Sequence, residues 1–101
     1  MATILKTFRK VLGSASAEQI TSTRILTQGF AMRSETANVG NIYVGQSTVT
    51  ALTGMFIQPG ESNEKYARAI TRGSSAQYDL SKIYIIGTSG DAVRVEYESE
   101  E

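Results

Sequence analysis

Lys82 to Gly87 (Lys-Ile-Tyr-Ile-Ile-Gly) and Ala92 to Glu98 (Ala-Val-Arg-Val-Glu-Tyr-Glu) flank the four residues Thr88-Ser89-Gly90-Asp91. Both runs are rich in β-branched and aromatic residues, and a glycine stands between them, so the pattern predicts a hairpin. In the second run Val93, Val95 and Tyr97 share one face, while Arg94, Glu96 and Glu98 share the other. Period-two alternation of this kind belongs to a strand with one buried and one wet face. Val93, Val95 and Tyr97 are then expected to pack against Ile83 and Ile85, or against Tyr84 and Ile86 in the opposite register.

Upstream, Ile20 to Met32 is rich in Thr and Ile and is interrupted at Gly29, which suits a bulge between two strand halves. Asn38 to Asn41 is turn chemistry. Ile42-Tyr43-Val44 reads as a short strand ended by Gly45, and Met55 to Gln58 as another. Pro59-Gly60 supplies the residues preferred at the two central positions of a type II turn. Glu61 to Thr71 fits a helix through Tyr66 and Ile70, or a strand through the alternation of Glu64, Tyr66, Arg68 and Ile70; the strand is preferred. Six or seven short strands with regular turn signals predict a mainly β chain, a small antiparallel β-sandwich or barrel.

The first twelve residues read differently. Ile4, Leu5, Phe8, Val11 and Leu12 recur at the i, i+1, i+4, i+7, i+8 spacing of one helix face, with Lys6, Arg9 and Lys10 opposite. The same letters also suit a strand, and the helix is preferred. Gly13 to Ala17 (Gly-Ser-Ala-Ser-Ala) has the composition of a flexible link. Residues 1–17 are thus expected to form an arm and linker, 18–98 the β-sandwich and 99–101 an acidic tail.

The chain has 101 residues, the size of one domain, and its 41% apolar share is ordinary for a globular protein. It holds no cysteine and no histidine, which removes thiolate chemistry and the commonest metal ligand and general base. No apolar run approaches the roughly 20 residues of a membrane span. A secretory signal is not expected, nor is membrane binding. The net charge of zero hides an asymmetry: residues 1–33 balance to +4 and residues 91–101 to −4. Opposite ends of this kind suit head-to-tail attraction between copies, or between this protein and an oppositely charged lattice.

Chemical constellations are weak. Gly40-Asn-Ile-Tyr-Val-Gly45-Gln46-Ser47 approaches a phosphate-loop pattern, but Gln46 stands where the lysine belongs and the intervening residues form a strand. Glu61 with Glu64, and Asp79 with Asp91, read as ordinary solvated acids. Ser81 and Lys82 are adjacent on an expected strand and would point to opposite faces. No catalytic residue, metal ligand or cofactor site is assigned, and the chain is expected not to be an enzyme. Three bases with Phe8 the only nearby aromatic do not make a nucleic-acid surface.

Asn38 to Thr50, Pro59-Gly-Glu-Ser62 and Asp79 to Gly87 running into Gly90-Asp-Ala-Val-Arg-Val95 resemble small β-sandwich virion proteins of tailed bacteriophages. The shared pattern is a strand reading N-x-G-x-(I/V)-Y-V-G, a Pro-Gly-Glu turn and a final L-S-x-I-Y-(V/I)-I hairpin. It covers about 60 of the 101 residues. Glu64 to Gln77, more polar and longer than the family's compact strand, and the basic beginning lie outside it. The resemblance implies a capsid decoration or cement subunit, located in the virion and bound to the major capsid protein or another virion protein. A head–tail connector, or a tail or fibre-base part, is the alternative, and a small ligand- or carbohydrate-binding β-module is the second alternative, from a different class. A homotrimer is expected, with Ile4, Leu5, Lys6, Phe8, Arg9, Lys10, Val11 and Leu12 as the partner-binding residues.

Overall fold

The computed structural model describes residues 3–60, 62–63 and 78–100. The chain is mainly β, as the alternation predicts. Its strands are β1 (Thr3–Val11), β2 (Glu18–Gln19), β3 (Leu26–Thr27), β4 (Phe30–Ser34), β5 (Ile42–Gly45), β6 (Met55–Ile57), β7 (Ser62–Asn63), β8 (Tyr78–Asp79), β9 (Tyr84–Ile86) and β10 (Ala92–Glu100), with a 3-10 turn at Leu80–Lys82. One sheet has the order β1-β10-β4-β7, a second β2-β9-β5-β6, and β3 with β8 forms a small third. Every pairing is antiparallel.

The inner faces of the two larger sheets meet in one core. Phe30, Met32, Val93 and Val95 come from the first sheet, and Ile42, Val44, Ile57 and Ile85 from the second. Leu12, Ile20 and Leu80 close it from the connections. Each such side chain contributes roughly 1.5–3 kcal/mol by leaving water. Phe30 also meets the edge of Tyr78, ring centroids 4.9 Å apart, and Phe8 meets Tyr97 in the same manner at 6.0 Å.

Three larger sequence expectations are overturned. The helix read over residues 1–12 is the strand β1, paired with β10 from Thr3↔Glu100 to Val11↔Ala92. The arm-and-linker reading of residues 1–17 fails with it. Leu12, 1% exposed, is part of the core. The carboxylate of Glu18 gathers the supposed link: it accepts from the Gly13 N–H at 3.0 Å and the Ser14 hydroxyl at 3.0 Å, and pairs with Lys10 at 2.8 Å. Above all the hydrogen bond from Lys10 holds the Glu18 pKa below its ordinary value, although burial pushes it up.

The third correction concerns the hairpin. β9 and β10 do not pair; they belong to different sheets. Thr88 to Asp91 does turn, with Asp91 N–H donating to the Thr88 carbonyl at 3.0 Å and Gly90 at φ +95°. The chain nevertheless crosses from one layer to the other. Val93, Val95 and Ile85 therefore share the core between the sheets, with Tyr97 and Ile83 packed against it, rather than facing one another across a ladder.

Of the other local readings, the turn at Pro59-Gly60 holds. Gly60 has φ +81°, which fits the third residue of a type II turn after Pro59. The bulge expected at Gly29 does not hold: the glycine separates β3 from β4, which lie in different sheets. The strand expected over Glu61 to Thr71 lies outside the described residues, except for Ser62 and Asn63 of β7. Among the described residues no helix is long and apolar enough to cross a membrane.

Candidate functional site

The eight sequence-assigned residues divide by strand geometry. Ile4, Phe8 and Lys10 are partly covered and Leu12 is buried, whereas Leu5, Lys6, Arg9 and Val11 are exposed. Leu5, 66% exposed, and Val11 are apolar groups on the outer face of β1. β1 is the edge of its sheet: among the described residues it pairs on one side only. Among the described residues the other edges of the two larger sheets are short, with two residues in β7 and β2 and three in β6. Short edges are one way that proteins blunt strand addition. β1 runs nine residues without a proline or a break in register.

The outer face of the same sheet carries a pattern that sequence reading missed. The register places Arg9 opposite Arg94, and Arg94 opposite Arg33. Three guanidinium side chains thus start in one row across β1, β10 and β4. Glu35, just beyond β4, reaches two of them. Arg9 Nε donates to Glu35 Oε2 at 2.6 Å and Arg9 Nη2 to Oε1 at 2.8 Å. Arg94 Nε donates to Oε2 at 3.0 Å. Charge-assisted forks of this kind are among the stronger side-chain hydrogen bonds. They hold the Glu35 carboxyl at about 2, against an ordinary 4.5, with the Arg9 hydrogen bond the largest cause, the Arg94 bond next, and burial opposing both. Over this face lies a trough of about 640 Å³ lined by Thr7, Arg9, Ala31, Arg33, Arg94 and Glu96.

The second sheet has a different outer face. Tyr43 lies opposite Phe56 on one side and Ile86 on the other, and Tyr84 lies on the same face. Phe56 is 56% exposed. Part of this face is closed by Val49, which is 4% exposed. A Cβ added at Gly45 or Gly54 would stand 2.8 or 2.7 Å from Val49 Cγ2. These glycines provide the seat into which the loop returns. Gly40 and Gly45 bracket a strand, as read.

Asp91 is not the solvated acid the sequence suggested: it is 4% exposed. Its Oδ1 accepts from the Val39 N–H at 2.9 Å and its Oδ2 from the Gly40 N–H at 3.0 Å. Asn38 completes the clamp, donating to the Ala92 carbonyl and accepting from the Ala92 N–H, both at 2.8 Å. These bonds fix the crossing between the sheets. Asp79 accepts from the backbone and hydroxyl of Ser81 at 3.0 and 2.7 Å, which caps the 3-10 turn; Ser81 is buried and Lys82 exposed. Glu61 and Glu64 lie outside the described residues.

A scan against protein-family models and searches of curated proteins and of solved structures find no match to this chain.

Proposed function

We propose that this chain is a structural protein of a tailed-bacteriophage particle, a decoration or cement subunit that binds the assembled shell of major capsid protein and performs no catalysis. The observation that carries the reading is the nine-residue edge of β1, which among the described residues pairs on one side only. A free edge offers a row of backbone donors and acceptors to an extended strand of a neighbour. Leu5 and Val11, exposed along that strand, add apolar area to such a contact. The sequence resemblance to virion β-sandwich proteins supports the same assignment.

The attachment is by a strand of the domain, not by a detached arm. The homotrimer loses its electrostatic argument, because the basic beginning and the acidic end lie side by side as β1 and β10. Copies are therefore placed by the symmetry of the shell, and a trimer at its local three-fold positions rests on the edge contact alone. A ligand- or carbohydrate-binding module is the second reading, and the aromatic outer face of Tyr43, Phe56 and Tyr84 is what favours it.

Mass spectrometry of gradient-purified particles, made by the genome that carries this chain, tests the assignment. Recovery with the heads supports it; recovery with detached tails moves the chain to the connector or tail class. Absence from the particles sinks both. Leu5→Lys faces Glu98 across the ladder, a favourable cross-strand pair, so it should fold and yet bind heads at least about tenfold more weakly.

A further inference from the structure

Like charges directly opposite one another on neighbouring strands are destabilising. This sheet carries two such pairs in succession, Arg9↔Arg94 and Arg94↔Arg33. Glu35 compensates the first two arginines. Among the described residues Arg33 has only a long bond from Nη1 to the Gly60 carbonyl, 3.4 Å. An arrangement that works against the sheet, opens onto a trough and, among the described residues, leaves its third cation without an acid is suited to a ligand that brings the acid.

We propose that the row Arg9–Arg94–Arg33 is a carboxylate-binding site for an acidic, extended segment of a partner protein. Strands lie about 4.8 Å apart, so the row spans roughly 10 Å, and same-face side chains of an extended segment stand about 7 Å apart. Two acids of such a segment fit within the row. Arg33 takes one carboxylate through its planar fork. The second meets Arg94, whose Nε alone is engaged by Glu35. The neighbouring row is Thr7–Glu96–Ala31, where small Ala31 leaves room for the segment's backbone. Glu35, Glu96 and Glu98 share the face, and three carboxylates beside three guanidiniums oppose a continuous polyphosphate. A protein segment, whose acids can be spaced to avoid them, is favoured over nucleic acid.

The site goes beyond the virion reading and does not depend on it, since the row belongs to the chain whatever it is attached to. The test uses the full chain and a fluorescein-labelled decaglutamate peptide, followed by polarisation at low salt and at about 0.3 M salt. Binding should weaken steeply with salt. Arg33→Gln should weaken it about tenfold, while Arg24→Gln, which removes the same charge elsewhere on the surface, should leave it unchanged. Arg33→Lys should retain part of the affinity, because charge remains and the fork is lost. Arg33→Gln should also melt at or above the wild-type temperature, since it relieves a like-charge pair. Equal loss from Arg33→Gln and Arg24→Gln would overturn the proposal, as would wild-type binding by Arg33→Gln. It would fall as well if Arg33→Gln melted several degrees lower, or if a ten-residue single-stranded oligonucleotide bound more tightly than the peptide.

Discussion

The two sheets share one core but are built in opposite ways. The first is dominated by the nine-residue partners β1 and β10 in unbroken register, with a charged outer face and a long edge that is open among the described residues. The second is made of strands of two to four residues, with an aromatic outer face partly closed by its own loop through Val49. Length gives the first sheet its cohesion by backbone pairing. The second depends on close packing from both sides, since short ladders hold little by themselves. The difference puts the exposed edge and the exposed charge on the first sheet, which is why the proposed contacts are drawn there.

Three changes would break or sharpen the contrast. Removing residues 1–13 has the largest expected effect. It deletes the partner of β10 along its whole length and takes Leu12 out of the core, so circular dichroism should show an unfolded chain. A folded truncated chain would mean that the second sheet and β10 suffice without β1.

Gly54→Ala probes the second sheet. The added methyl would stand 2.7 Å from Val49 Cγ2 and 2.8 Å from Tyr43 Cβ, and overpacking of this kind costs about 1–3 kcal/mol. Urea unfolding should show that loss, and adding Val49→Ala should recover part of it by removing the methyl in the way. No recovery would mean that the clash with Tyr43 dominates.

The smallest effect concerns Glu35. Its folded pKa is depressed to about 2 from 4.5, so its contribution to stability is present above about pH 4.5 and is lost as pH falls toward 2. Glu35→Gln should lower the melting temperature modestly at pH 7, where the contribution is present, and the difference from wild type should close as pH falls toward 2. An unchanged acid limb would assign the acid sensitivity to other carboxylates.

Much of the second sheet could be read directly. Ile42, Val44 and Ile57 are strand residues between turn signals, and Pro59-Gly60 fixes its turn by local dihedral preference. β10 was equally plain, because Val93, Val95 and Tyr97 alternate with charged residues. β1 was not. Leu5 and Val11 are apolar yet exposed, and they blur the period of two into one that also fits a helix. The arginine row left no local signal either, because Arg9, Arg33 and Arg94 are far apart in the chain and only register makes them neighbours.

The sequence by itself determined the β character, the main turns and which face of β10 is buried, since these rest on side-chain alternation and on the dihedral freedom of a few residues. The tertiary structure decided that residues 3–11 are a strand, that Thr88 to Asp91 crosses between sheets instead of closing a hairpin, and that three arginines stand in a row. Each of these depends on backbone bonds or clamps between segments distant in the chain, such as β1 with β10 and Asn38 with Ala92. Local preferences carry no information about which distant partner will satisfy a backbone group, and that choice set the fold here.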